Sequence, residues 1–280
     1  MNTSSAHWIS LWKDAAKQSL FRKTFTDESI CWNASAKYYD QTMGSSTKRV
    51  SAVMDLLSAK GLLNHEYNVL DIGSGTGSYT LPLSRFCRHV TAMDISDSMN
   101  SILHQTMHSQ GQNNFDILQE DFCSYDFGSQ TFDIVLASLA PGLSHPDALL
   151  KMISICSRFC IYIGIDPRPT PAGQPAVDSL NDLLLGHSLS HSGSNHITYP
   201  LNLLRSIGYK PELTNVLCTW NHKEPINDAI LRLTEYYMAV PGASETWYPI
   251  IESYITEHSD HGFYYDTSSV QLGILSFNCQ

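Results

Sequence analysis

Five short apolar runs recur between residues 68 and 165, and the segments that separate them have helical periodicity. The runs are Asn68 to Ile72, His89 to Met93, Asn114 to Leu118, Phe132 to Ala137 and Phe159 to Ile165; helix-compatible segments lie near 77–87, 97–110 and 146–157. Strand and helix in alternation over about a hundred residues read as βαβ units. Because the runs are nearly continuous in apolar side chains, they suit strands buried on both faces, and the spacing predicts a parallel sheet covered by helices on each side.

The flanks have a different character. From Ser5 to about Leu63 the pattern is helical: Trp8, Leu11 and Trp12 fall at i, i+3, i+4, and Val50, Val53, Met54, Leu56 and Leu57 share a face. After Ile165 comes DPRPTPAGQPA, a proline-rich connector that excludes regular helix or inner strand. Then follow a helix from Leu180 to Leu185, the polar stretch HSLSHSGSNH, and a helix from Tyr199 to Ile207 that Gly208 caps. Leu213 to Trp220 and Val270 to Phe277 read as strands, with helices at Asn227 to Met238 and Trp247 to His258 between them.

The chain has 17 basic and 27 acidic residues, a formal charge of -10, and no cluster of Lys and Arg. That excludes a surface that tracks phosphates, so no nucleic-acid partner is expected. The longest strongly apolar run, Phe159 to Ile165, is too short to cross a bilayer, and the N-terminus has no basic segment leading into an apolar one. No membrane partner and a cytoplasmic location are therefore expected. Seven cysteines stand at 31, 87, 123, 156, 160, 218 and 279 without CxxC spacing, which reads as free, mostly buried thiols. Cys156 and Cys160, at i and i+4, sit where a helix enters a buried strand; packing is the expectation there and no metal is predicted.

Residues 69–77 read VLDIGSGTG. The loop Gly73-Ser74-Gly75-Thr76-Gly77 stands where the first strand hands over to the first helix, the place where open α/β sheets bind ligands. A dinucleotide fingerprint would need glycines at 73, 75 and 78, and position 78 is serine. Asp71 is a second departure, since a carboxylate there suits a cationic group such as an ammonium better than a pyrophosphate. Asp94 ends the second strand 21 residues after Gly73, the distance at which an acid accepts from both ribose hydroxyls. Asp121-Phe122 closes the third strand, where a carboxylate can take an exocyclic amine and a ring can stack on a base. Ammonium, diol and amine acceptors without a phosphate-binding cation match S-adenosyl-L-methionine.

These residues resemble the class I S-adenosylmethionine-dependent methyltransferases of small-molecule type. VLDIGSGTG corresponds to the first motif, TAMDIS with Met99 following to the second, EDF to the third and FDIVLASLAP to the fourth, so the likeness covers about 66 to 165. The resemblance implies S-adenosyl-L-methionine as cofactor and S-adenosyl-L-homocysteine (SAH) as product. It places Asp71, Gly73 and Gly75 at the methionine end, Asp94 at the ribose, and Ile95 and Phe122 on the adenine faces, and it counts Ser74, Gly77 and Met99 among the cofactor-binding residues. Asp121 would take the adenine amine, and Ser138 and Leu139 would border the transferring methyl group. Trp32-Asn33-Ala-Ser-Ala36-Lys-Tyr-Tyr39-Asp40 is similar to the W-D-x-x-A-x-x-Y/W-D segment of the family's cofactor cover, with Asn33 where Asp is usual. That carries over Tyr39 and, less directly, Trp32.

The implied architecture is α/β: a Rossmann-like doubly wound sheet of seven strands, mainly parallel with one antiparallel strand. Residues 1–65 would form an N-terminal helical lid and 66–280 the cofactor-binding domain. Within it, 166–200 would be connector and substrate-side loop, and 221–266 a helical insertion between the last two strands. Tyr236, Tyr237, Trp247 and Tyr248 of the insertion read as packing residues, as the wall of an acceptor pocket, or as a homo-oligomer contact.

Methyl transfer from a sulfonium is an in-line displacement that needs alignment and exclusion of water more than a covalent residue. Strand four ends in Ala-Ser-Leu-Ala-Pro, unlike the Asn/Asp-Pro-Pro-aromatic signature of enzymes that methylate nucleic-acid bases, so a small-molecule acceptor is expected. A proton lost from it could pass to Tyr38, Tyr39, His145, His187 or His191. His145 reads equally as a helix cap, and Asp133 as a fold residue. Three rival readings stand beside this one: transfer of the cofactor's aminocarboxypropyl or aminopropyl arm, a binding protein without chemistry, and an NAD-dependent oxidoreductase, against which Asp71 and Ser78 argue.

Overall fold

The computed structural model describes residues 4–25, 27–42, 47–168, 176–186 and 193–279. Four helices open the chain: α1 (Ser5–Lys17), α2 (Leu20–Thr24), α3 (Glu28–Thr42) and α4 (Thr47–Ala59). The alternating part follows as β1 (Asn68–Ile72), α5 (Thr80–Ser84), β2 (His89–Met93), α6 (Asp97–Ser109), β3 (Phe115–Leu118), β4 (Phe132–Ser138), α7 (Pro146–Ser154) and β5 (Cys156–Ile165). Helices α8 (Ala176–Leu185) and α9 (Thr198–Ser206) lead into β6 (Glu212–Pro225). Then come α10 (Ile226–Met238), α11 (Trp247–Glu257), β7 (Ser259–Asp260) and β8 (Phe263–Asn278).

The strand order is β3-β2-β1-β4-β5-β8-β6, with β7 paired to β8. Strands β1 to β5 pair in parallel, whereas β8 is antiparallel to both of its long neighbours. This is the expected doubly wound sheet with one reversed long strand. The two-residue β7 adds an eighth strand to the seven expected.

Each face of the sheet has its own core. One buries Leu70, Met93, Val135 and Tyr162 beneath α1, α7 and α9; the other buries Val69, Ile134, Ile161 and Ile274 beneath α4 and α5. Trp12 anchors α1, fully buried, with its indole N–H donating to Ser194 O at 2.8 Å and its ring stacked on Tyr199. Helix starts and stops follow local chemistry: the Ser96 hydroxyl accepts from Met99 N to cap α6, and Gly208, at φ +99°, ends α9 as predicted. Asp133 accepts from Asn68 N and from Arg158 Nε, both at 2.9 Å, which makes it a clasp between β1, β4 and β5.

A third apolar cluster joins the insertion to the N-terminal helices, with Phe25 and Cys31 meeting Leu180, Leu233, Tyr237, Ile251 and Tyr264. Arg232 grips Glu224 through two nitrogens, which pins α10 to the end of β6. Tyr237 is buried and donates to Asn181 Oδ1 at 2.7 Å, Tyr236 packs near Phe25, and Tyr248 is exposed. Among the described residues no helix is long and apolar enough to cross a membrane.

Candidate functional site

A cavity of about 640 Å³ opens at the carboxyl ends of β1 to β4. The strand order reverses there, between β1 and β4, so the loops that follow the two strands run to opposite sides and leave a crevice. Its floor is Ile72, Gly73 and Gly75 after β1, Met93, Asp94 and Ile95 after β2, residues 120–123 after β3 and residues 138–143 after β4. Arg22, Phe25, Asp27, Glu28, Ser29, Trp32 and Tyr39 close it from the N-terminal helices.

The glycines of the loop have different reasons to be glycine. Gly73 has φ +68° and donates to Met93 O at 2.8 Å; a Cβ there would stand 2.7 Å from Ala140 Cβ, so the loop after β4 could not approach. Gly77, at φ +96°, lies against α6, where a Cβ would overlap Leu103 Cδ1. It is a packing glycine and does not line the cavity.

Asp94 is fixed by backbone donors. Its Oδ2 accepts from Gly75 N and its Oδ1 from Ser96 N, each at 2.9 Å, and it lines the cavity. Burial pushes its carboxyl up, against the N–H groups of Ser96, Gly75 and Ile95 that favour the charge. Asp71 is 1% exposed and accepts from Thr80 Oγ1 at 2.7 Å. Burial pushes it up to about 6, opposed by the Thr80 hydroxyl and reinforced by the nearby Asp94 charge. Asp121 lines the cavity and accepts from Ser124 N at 2.8 Å; Lys151 ties down the same turn by donating to Phe122 O and Cys123 O.

Helix α3 is stitched over this floor. Asn33 Oδ1 accepts from Ser96 Oγ at 2.7 Å and Ser98 N at 3.1 Å, and Asp40 Oδ1 accepts from Thr76 Oγ1 at 2.5 Å. Tyr39 is thereby laid beside Gly75, where a Cβ would stand 3.8 Å from the ring. At the far end of the cavity Leu139 holds φ +53°, a left-handed conformation uncommon for leucine and concentrated at functional sites. Arg22 donates to Pro141 O at 2.6 Å and stands 3.6 Å from Glu28 Oε1. Burial raises the Glu28 carboxyl, Arg22 pulls it down and Asp121 pushes it up again.

Of the residues singled out from the sequence, Trp32, Tyr39, Gly73, Gly75, Asp94, Ile95, Met99, Asp121, Phe122, Ser138, Leu139 and His145 all line this one cavity. Asp71, Ser74 and Gly77 stand behind the wall; Ser74 is buried and its hydroxyl has no hydrogen-bond partner among the described residues. His145 caps α7, its Nδ1 accepting from Asp147 N at 3.3 Å, and burial lowers its basicity. Tyr38 turns away to donate to Glu235 Oε2, and none of Tyr236, Tyr237, Trp247 and Tyr248 lines the cavity. His187 and His191 lie outside the described residues.

The polar residues Arg22, Asp27, Glu28 and Ser29, which line the cavity, and Arg49, which does not, were not read from the sequence. Arg49 shares the buried stripe of α4 with Val53 and Leu57, where a charge among apolar residues at i, i+4, i+8 is a readable signal. Its guanidinium faces Tyr39, Tyr79 and Asp71, and its Nε has no hydrogen-bond partner among the described residues.

Comparison with known proteins agrees with this geometry. A family model described as a methyltransferase domain matches residues 69–160. A Staphylococcus carnosus (strain TM300) protein named as an uncharacterized methyltransferase is 33% identical over 110 residues, 38% of this chain and 49% of its own length. The chain thus spans about half the length of the curated relative it matches. Among solved structures, YcgJ from Bacillus subtilis aligns with a TM-score of 0.50 at 14% identity, over 81% of this chain and 98% of its own. The magnesium protoporphyrin IX methyltransferase of Synechocystis PCC 6803 with bound SAH aligns with a TM-score of 0.50 at 17% identity, over 83% of this chain and 82% of its own. At these identities the likeness is one of fold.

Proposed function

We propose that this chain, which carries a class I S-adenosylmethionine-dependent methyltransferase domain at residues 69–160, methylates a small-molecule acceptor by in-line displacement. The observation that carries the reading is the placement of Asp94. Both of its oxygens are fixed by backbone N–H groups beside the glycine loop and it faces a cavity large enough for a cofactor and a further ligand.

In this reading Asp94 accepts from the ribose diol, Ile95, Met99 and Phe122 enclose the adenine, and Asp121 takes its amine. Behind the cavity wall, Asp71 and Arg49 supply one negative and one positive charge near the glycine loop, suited to the ammonium and carboxylate of the methionine end, with Tyr39 lining the cavity in front. Ser138 and Leu139 border the methyl group. The cavity continues past them to Arg22, Phe25, Glu28, Pro141 and His145, which leaves an acceptor chamber beside the sulfonium and favours catalysis over binding alone. The lining of the cavity as a whole is acidic, with Asp27, Glu28, Asp94, Glu120 and Asp121 against Arg22, which suits a neutral or cationic acceptor. Glu28 lines the cavity and is taken as the base for a proton lost by the acceptor, since a carboxyl raised by burial holds a proton more strongly than an exposed one.

Calorimetric titration with S-adenosyl-L-methionine, SAH and NADH tests the cofactor; tight NADH binding with none for the other two would overturn the assignment. Turnover with methyl-labelled cofactor tests the chemistry. Label retained on methylthioadenosine would instead favour aminocarboxypropyl or aminopropyl transfer.

A further inference from the structure

Three of the seven cysteines converge at the end of the sheet opposite the cavity. Cys156 begins β5, and Cys279, just past β8, reaches the same end because β8 runs antiparallel; its N–H donates to Arg158 O at 2.8 Å. The sulfurs of Cys156, Cys160 and Cys279 all lie within 4.8 Å of one another, with Cys160 and Cys279 3.3 Å apart. Residues i and i+4 on a regular strand would stand about 13 Å apart. Here the pairing passes from Phe132↔Cys156 to Ile134↔Phe159, so three residues of β5 oppose two of β4, and this bulge goes with the two thiols meeting.

We propose that Cys156, Cys160 and Cys279 form a trithiolate site for one soft d10 metal ion of the Zn2+ class. Tetrahedral zinc with sulfur at about 2.3 Å places its thiolates about 3.8 Å apart, so the trio closes on an ion with side-chain shifts of about an ångström or less. Thiolate ligands select thiophilic ions over hard ones. Cys156 and Cys160 are buried and Cys279 is half-buried, which gives the ion an entry and leaves its fourth position to water. The thiols have only weak competing partners: Cys156 Sγ is 3.8 Å from Asp133 O and Cys160 Sγ is 4.0 Å from Met152 O. Binding converts three thiols and a divalent ion into a trithiolate complex and releases three protons, without any change of oxidation state. The site clasps the end of β8 to the start of β5, far from the cofactor cavity.

The test is an anaerobic titration of the reduced chain with Cd2+, followed by the sulfur-to-metal charge-transfer band and by thermal unfolding, with Zn2+ as competitor. The expected result is saturation at one tight equivalent, a rise in Tm, and displacement of the band by Zn2+. Cys279→Ser, at a half-buried position that tolerates a hydroxyl, should weaken binding about 100-fold or more and remove the rise in Tm. Cys123→Ser, at the other end of the molecule, should leave both unchanged. A band absent from the unaltered chain, or one that persists at the same affinity in Cys279→Ser, would overturn the proposal.

Discussion

Replacing Asp71 by Asn should make the ligand-free chain more stable and the cofactor complex weaker. Asp71 is 1% exposed, and burial lifts its carboxyl from 3.8 to about 6 even after the Thr80 hydroxyl and Arg49 have pulled it down. A folded-state value above the unfolded one means that the protonated carboxyl favours the fold. That contribution is fully present below pH 3.8 and is lost as pH rises through about 6. At about 1.36 kcal/mol per unit, the ionised carboxylate costs the fold roughly 3 kcal/mol above pH 6 and about half of that at pH 5. Asparagine removes the cost and still offers the Thr80 hydroxyl an oxygen. Urea melts of both chains should therefore differ by about 3 kcal/mol at pH 8 and by about 1.6 kcal/mol at pH 5, with Tm at pH 8 higher by about 6 °C or more in the variant. Loss of a charged acceptor for the ammonium should raise the Kd for S-adenosyl-L-methionine about 10- to 150-fold. Equal stability at pH 8, or a gain that does not shrink at pH 5, would refute the electrostatic argument, and an unchanged Kd would detach Asp71 from the ligand.

Asp94→Asn keeps the shape but puts an amide against the N–H of Gly75 or Ser96, and the Kd for SAH measured by calorimetry should rise about 30- to 150-fold, a loss of about 2–3 kcal/mol. Glu28→Gln should lower kcat by about 10²- to 10⁴-fold while leaving SAH affinity within about twofold. In the unaltered enzyme the rate should fall as pH drops through the raised Glu28 value, and in the variant that acid limb of the rate–pH profile should disappear. Gly77→Ala should cost about 2–4 kcal/mol in a denaturant melt, from the left-handed backbone and the overlap with Leu103, with little change in SAH affinity of the folded fraction.

The alternating core was legible because its signal is local: β1 to β5 are short apolar runs, and α6 and α7 carry their own side-chain caps in Ser96 and His145. The acids at the strand ends were legible for the same reason, since each follows its strand in sequence and the sheet then brings Asp94 and Asp121 to one cavity. The last two strands were legible only in part. Leu213 to Trp220 and Val270 to Phe277 carry the apolar positions, but the pairing runs on through Asn221↔Thr267 to Pro225↔Phe263, where the sequence is polar and the ladder itself supplies the order. What no window of sequence contains is convergence across distance. Arg22 reaches Pro141, Asn33 reaches Ser96, and Cys279 reaches Cys160 across 119 positions, so the closed side of the cavity and the thiol cluster emerge only in the fold.

The buried acids also bear on the direction of turnover in the proposed reaction. Asp71, Asp94 and Glu28 are all raised chiefly by burial, even with Arg49 near Asp71 and Arg22 near Glu28, so the ligand-free chain carries several carboxylates it would hold more easily protonated. A sulfonium cofactor brings a positive charge into that field and relieves it, which couples cofactor binding to stability. Methyl transfer then removes the charge from sulfur while the carboxylates remain. The product is thus left with less electrostatic attraction than the cofactor that entered, although its ribose, adenine and amino-acid contacts are the same. The features that cost the fold stability at the strand ends would distinguish a charged cofactor from its neutral product, and a wall of uncharged hydrogen-bonding residues at the same positions would not.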